Sequence, residues 1–186
     1  MNQTKDLHKE LVEACKYNNA KAQMQLYDMY CKAMCTIANR YVKDTFVAED
    51  IMQDSFIKAF QKIHSFKGEV SFGAWIKRIV INNSLDWLKK QKLELVAINE
   101  EVYQQAEEND DWSLAHSIQA DFIAKAIKSL KEKYSVVLSL YLLEGYDHQE
   151  ISQVLGITEV ASRTHLMRGK KQLQELLKEQ KYVEGY

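Results

Sequence analysis

The chain has 186 residues, no proline, six glycines, 46% hydrophobic residues and a formal net charge of −1. That much apolar material excludes disorder over most of the length, and so few turn residues exclude sandwiches and barrels, which need them every ~8–12 positions. The longest nearly apolar run, Val136 to Leu143, is far shorter than the roughly 18 residues that cross a bilayer, and Met1 to Asp6 lacks the basic-then-apolar order of a secretory signal. The sequence therefore predicts an all-α protein, soluble and cytoplasmic, with no membrane insertion.

Residues 1–92 carry fifteen Lys and Arg against ten Asp and Glu, a basic first part that the near-neutral total conceals. Residues 5–40 read as two helices, with Leu7, Leu11 and Ala14 on one face of the first and Met24, Tyr27, Met34, Ile37 and Ala38 on one face of the second. Cys15, Cys31 and Cys35 are an odd number, with Cys31 and Cys35 one turn apart. They read as structural thiols in a reducing compartment; the alternative, a zinc or redox role, would need a third and fourth ligand, for which His8 and His64 are no more than guesses. Residues 46–63 form a third helix whose apolar stripe is Ile51, Phe56, Ala59, Phe60 and Ile63. Asp50, Gln53, Asp54 and Ile57 share its other face, at spacings of 0, 3, 4 and 7. A carboxylate-rich face that includes an isoleucine is either solvated or a docking surface, and spacing alone leaves both open.

A seven-residue loop, Ser65 to Ser71, leads into a fourth helix over 71–92, with Ser71 as its expected cap. Phe72, Trp75, Ile76, Ile79 and Val80 form the expected buried stripe, and Lys77, Arg78, Asn82, Asn83, Lys89 and Lys90 spread around the rest. Basic and amide groups beside aromatics, next to a loop with an exposed Phe66, suit stacking on unpaired bases while phosphates are gripped. An ordinary amphipathic helix with a core tryptophan fits the same residues.

Residues 93–120 carry seven acids and no basic residue, and Glu107, Glu108, Asp110 and Asp111 interrupt any apolar stripe. They read as an acidic flexible linker that, fully extended, reaches at most about 90–100 Å. Repelled by DNA, it would prefer a basic groove on a protein.

Beyond it, helices are expected at Asp121–Ser129 and Lys133–Leu143, stopped by Gly145. Asp147-His148-Gln149-Glu150 is a capping box, and the short helix that it opens turns Ile151, Val154 and Leu155 inward and ends at Gly156. Ile157 tucks back, Thr158 caps, and a longer helix runs from Glu159 to about Glu179. Between Arg163 and Lys181 there are six basic residues against two acids. Helix, glycine turn and longer basic helix are the marks of a helix-turn-helix, although an αα-hairpin with a basic face has them too. The expected exposed positions are Arg163, Thr164, His165, Met167 and Arg168, then Lys170 and Lys171. Arginine there can pair with guanine in the major groove, and lysine can hold phosphate.

These segments resemble the sigma-70 family, and within it the small extracytoplasmic-function (ECF) sigma factors. Ala48-Glu49-Asp50-Ile51-Met52-Gln53-Asp54-Ser55-Phe56-Ile57-Lys58-Ala59-Phe60 resembles the family's core-polymerase-binding segment. Phe72, Trp75, Ile76, Arg78, Ile79, Ile81 and Asn82, followed by Leu85-Asp86, resemble its promoter-melting helix. Leu140 to Tyr146 and Glu150 to Ile157 resemble its second conserved lobe. The resemblance covers about residues 21–90 and 121–177. It implies three parts: region 2 at 1–92, the linker at 93–120, and the region 4 helix-turn-helix at 121–186.

The resemblance further implies that Asp50, Gln53, Asp54, Phe56 and Ile57 bind the clamp helices of the large subunit of core RNA polymerase. It implies contact with the minus-ten element of promoter DNA by Phe66, Lys67, Trp75, Arg78 and Asn82. Arg163, Thr164, His165, Arg168 and Lys171 would read the minus-thirty-five element. No cofactor and no metal are implied, and an anti-sigma factor is an implied partner. The chain departs from the family at Ser162, where a valine packing between two helices is common, at His165, where arginine is common, and at Met167, where an aromatic residue or histidine often stands. A stand-alone dimeric helix-turn-helix regulator is the alternative, and it leaves the linker and the carboxylate face without a use. An enzyme is not expected, because the sequence has no phosphate-cradling glycine loop, paired-histidine metal motif or activated nucleophile.

Overall fold

The computed structural model describes residues 2–95 and 120–183, which divide between two compact units, Met1–Gln91 and Lys92–Tyr186. Among the described residues there is no strand, and no helix is long and apolar enough to cross a membrane. The stretch expected as a linker falls largely outside the described residues, and the helix that precedes it continues to Leu95.

The first unit contains α1 (Asn2–Lys16), α2 (Ala20–Val42), α3 (Thr45–Gln61), a 3-10 turn (Ile63–Ser65) and α4 (Phe72–Leu95). Short side chains set these limits. Asn19 accepts from the backbone N–H groups of Lys21 and Ala22 at 3.0 and 3.1 Å. Asp44 accepts from Phe46 and Val47 at 2.8 and 3.2 Å. Ser71 accepts from Ala74 at 3.2 Å, which makes it the cap that the sequence predicts. Each satisfies helix-end donors that would otherwise lack a partner, for about 1 kcal/mol. Helices α2 and α3 form the principal pair, joined at Lys43 in the left-handed conformation. Leu26, Ala38, Tyr41, Ala48, Ile51, Met52 and Ala59 are buried in this unit, as are Leu11, Val12 and Cys15 of α1 and Ile76, Val80, Ile81 and Leu85 of α4. Each large apolar side chain so buried contributes roughly 1.5–3 kcal/mol. Met24, expected on the buried face of α2, is exposed, and Ile79 is only half-buried.

The second unit contains α5 (Ala120–Ser129), α6 (Glu132–Leu138), which continues in a π turn over Ser139–Leu143, then α7 (His148–Leu155) and α8 (Glu159–Val183). The capping box at Asp147 is complete: its side chain accepts from Glu150 N at 2.7 Å, and Glu150 Oε2 accepts from Asp147 N at 3.0 Å. Gly156, at φ 67°, ends α7 in a conformation that side chains disfavour, and Thr158 Oγ1 caps α8 by accepting from Ala161 N at 3.1 Å. Cap, glycine and cap thus fall where the helix-turn-helix pattern puts them. Of the three α7 residues expected inward, Ile151 is buried, whereas Val154 and Leu155 are half-buried.

Candidate docking face and nucleic-acid interface

On α3, Asp50, Gln53, Asp54 and Ile57 are all exposed, and Ile57 keeps 55% of its surface open. Phe56 is different. It is 2% exposed and packs edge-on to Tyr27, with ring centroids 4.9 Å apart, so it supports the face from beneath instead of forming it. Its place in the contact set is corrected on that ground. The sequence reading missed Phe46, 83% exposed, which lies one turn before Asp50 on the same side. The spacing 46, 50, 53, 57 carries that signal, but it is masked because an aromatic residue at a helix start reads as core. Burial first, then the Cys31 thiol and Glu49 carboxylate, push the Tyr27 phenol above its usual range. Burial and the nearby Glu49 likewise raise the Cys35 thiol, and burial alone raises Cys15. A raised thiol pKa leaves less thiolate at neutral pH, which disfavours metal binding and nucleophilic chemistry.

The loop before α4 is held by aromatic packing. Phe66 is half-buried, not exposed as the sequence suggests, with its ring 5.2 Å from Trp75 and 6.1 Å from Phe72. Trp75 is half-buried too. Lys67, Arg78 and Asn82 are exposed, and Trp75, Arg78 and Asn82 follow one another along α4 at spacings of 0, 3 and 7. Asn82 must be told from its neighbour. Asn83 Nδ2 donates to Ser55 Oγ at 2.7 Å, and Lys58 Nζ donates to Asn83 Oδ1 at 2.8 Å, so Asn83 ties α4 to α3 and leaves Asn82 to the surface. A cavity of about 590 Å³ lies between the loop and α1, bordered by Lys9 and Lys16 as well as Lys67. The sequence gives no hint that α1 lines it.

In the second unit Arg163, Arg168 and Lys171 are exposed on α8. Thr164 and His165 are not. Thr164 Oγ1 donates to the Val160 carbonyl at 2.8 Å, and the His165 ring meets Tyr134 edge-on at 5.9 Å. Both are buried against the rest of the unit, so neither is a surface contact, and both leave the recognition set. Ser162, the departure from valine, is fully buried, with its Oγ 2.9 Å from His148 Nδ1. A hydrogen bond therefore joins α7 and α8 where a methyl group would otherwise pack. Arg163 lies 3.6 Å from the Glu159 carboxylate one turn earlier. The sequence reading missed Val160, which is half-exposed on the first turn of α8.

Comparison with known proteins joins the two sets of surfaces. The family model of sigma-70 region 2 matches residues 26–94, and that of sigma-70 region 4 matches residues 123–173. The chain is similar to the ECF RNA polymerase sigma factor SigM of Bacillus subtilis, 26% identical over 153 residues that cover 82% of this chain and 93% of the relative. It is similar to the ECF RNA polymerase sigma-E factor of Haemophilus influenzae, 26% identical over 177 residues, covering 88% and 92%. Among solved structures, CnrH in complex with the cytosolic domain of CnrY has a TM-score of 0.51 at 22% identity, over 92% of this chain and 97% of that one. That likeness is one of fold.

Proposed function

This chain belongs to the sigma-70 family and is a sigma factor of the ECF type, and from that premise we propose how its surfaces share the work. The unit of α1–α4 binds core RNA polymerase through Asp50, Gln53, Asp54 and Ile57. Their carboxylates meet basic groups on the clamp helices of the large subunit, and Ile57 supplies the apolar contact. The same unit captures the minus-ten strand. Lys67 and Arg78 hold phosphate, the half-buried rings of Phe66 and Trp75 offer stacking, and the Asn82 amide hydrogen-bonds an extruded base. Unstacking a base takes a few kcal/mol, which stacking and hydrogen bonding together must offset. In the second unit Arg163, Arg168 and Lys171 read the minus-thirty-five element. Residues 93–120 join the two units as an acidic linker.

The observation that carries this reading is the pairing of two family segments in order, each with a chemically suited exposed face. The α3 face is acidic with one apolar side chain, for a protein partner, and the α8 face is basic, for DNA. Sigma factors direct initiation by binding, so bond-making belongs to the polymerase in this reading, and the site of action is the cytoplasm. An anti-sigma factor that covers one of these faces is part of the proposal. CnrH, a chain of the same fold, was solved in complex with the cytosolic domain of CnrY.

Co-elution with sigma-free bacterial core RNA polymerase tests the assignment, with wild type compared against the double substitution Asp54→Lys and Ile57→Lys. Wild type is expected to co-elute and the double variant to elute free. A wild-type protein that elutes alone as a dimer would favour the stand-alone regulator instead.

A further inference from the structure

Once Thr164 and His165 are seen to turn inward, the outer face of α8 is chemically mixed. Val160 (50% exposed), Arg163, Met167 (38% exposed) and Lys171 stand at spacings of 0, 3, 7 and 11, which places them on one side of the helix. Two of these four are apolar and open to water on an otherwise cationic face. Resting on the reading of α8 as the helix that enters DNA, we propose that Val160 and Met167 are specificity-determining residues that contact thymine C5-methyl groups on either side of Arg163.

Three arguments support this. In a helix-turn-helix the early residues of the second helix reach the base edges, and Val160 is the second residue of α8. In the major groove the apolar feature of a base pair is the thymine methyl, and an aliphatic side chain has no hydrogen bond to offer any other edge. Lastly, Val160 and Met167 are seven residues apart, about 10 Å along the axis at ~1.5 Å per residue. A helix laid along the groove would span about three base-pair steps at ~3.4 Å each between them. Arg163, between the two, is exposed and lies 3.6 Å from the Glu159 carboxylate one turn earlier. The expected upstream element therefore contains two thymines about three steps apart.

The test uses holoenzyme assembled from the full chain and sigma-free core polymerase. Duplexes randomised in the upstream region, with a constant downstream region, are selected for retention and sequenced. In the enriched duplex each thymine is then replaced singly by deoxyuridine, which lacks only the methyl. Wild-type holoenzyme is expected to bind about three- to fivefold more weakly at two positions. At one of them Val160→Ala should abolish the difference between thymine and deoxyuridine, and at the other Met167→Ala should do so. Arg163→Ala should weaken both duplexes alike. If upstream bases are enriched and Arg163→Ala weakens binding, yet deoxyuridine has no effect at any position, the methyl contacts are refuted and the sigma reading stands. If core binding and transcription persist with no upstream enrichment, the assignment of α8 to DNA fails and this inference fails with it.

Discussion

Asn82 and Asn83 are adjacent amides on α4 with opposite duties. Asn83 bridges Ser55 and Lys58 of α3, and the buried Ser55 hydroxyl that it serves also donates to the Ile51 carbonyl at 2.6 Å. Removing Asn83 leaves that hydroxyl with one partner fewer inside the unit. Asn83→Ala is therefore expected to lower stability by about 1–2 kcal/mol in urea denaturation. Asn82→Ala, on the surface, should stay within ~0.5 kcal/mol of wild type. The order should reverse in function: Asn82→Ala should impair promoter opening while polymerase binding is kept. Equal loss of binding and opening in Asn82→Ala would refute that division of labour. From the sequence both asparagines lie on the same helix near an arginine, and no spacing rule says which of two neighbours crosses to α3.

At the scale of elements, caps and close approaches set how the helix-turn-helix holds its shape. Asp147 satisfies a donor at the start of α7 and receives Glu150 in return, so Asp147→Ala is expected to cost about 1 kcal/mol. Thermal melting reads this directly, and an unchanged midpoint would mean that the box adds nothing. Gly169 of α8 serves packing, not a turn. A Cβ there would stand 2.9 Å from Leu138 Cδ1 and 3.2 Å from Tyr134 Cβ, both in α6. Alanine helps a helix by roughly 1 kcal/mol relative to glycine. Overpacking a core costs typically ~1–3 kcal/mol, so Gly169→Ala should be net destabilising in the same melt. A stabilised variant would show that α6 can move away from α8 at little cost. The caps Ser71, Asp147 and Thr158 were legible in sequence because capping is local, whereas Asn19 and Asp44 were not singled out there. The role of Gly169 was not, since its reason lies more than thirty positions upstream.

For the whole molecule, a net charge of −1 describes neither half. The basic excess falls in residues 1–92 and again between Arg163 and Lys181, whereas seven acids occupy 93–120 without a basic residue. Few cations per unit mean few released counterions, so the free protein should bind duplex DNA weakly, with an affinity that falls as salt rises. Filter binding from low to physiological salt checks this, and tight, salt-insensitive binding without polymerase would contradict it. The sequence by itself determined the all-α class, the caps at Ser71, Asp147 and Thr158, the helix-turn-helix and the order of its two family segments. All of these follow from local propensity and from residues a few positions apart. Tertiary structure alone decided which side of each helix meets solvent. Periodicity says which residues share a face, but the partner that buries a face comes from distant sequence. Tyr134 on α6 draws His165 inward, Tyr27 on α2 covers Phe56, and the faces left over carry Phe46 and Val160 to the surface.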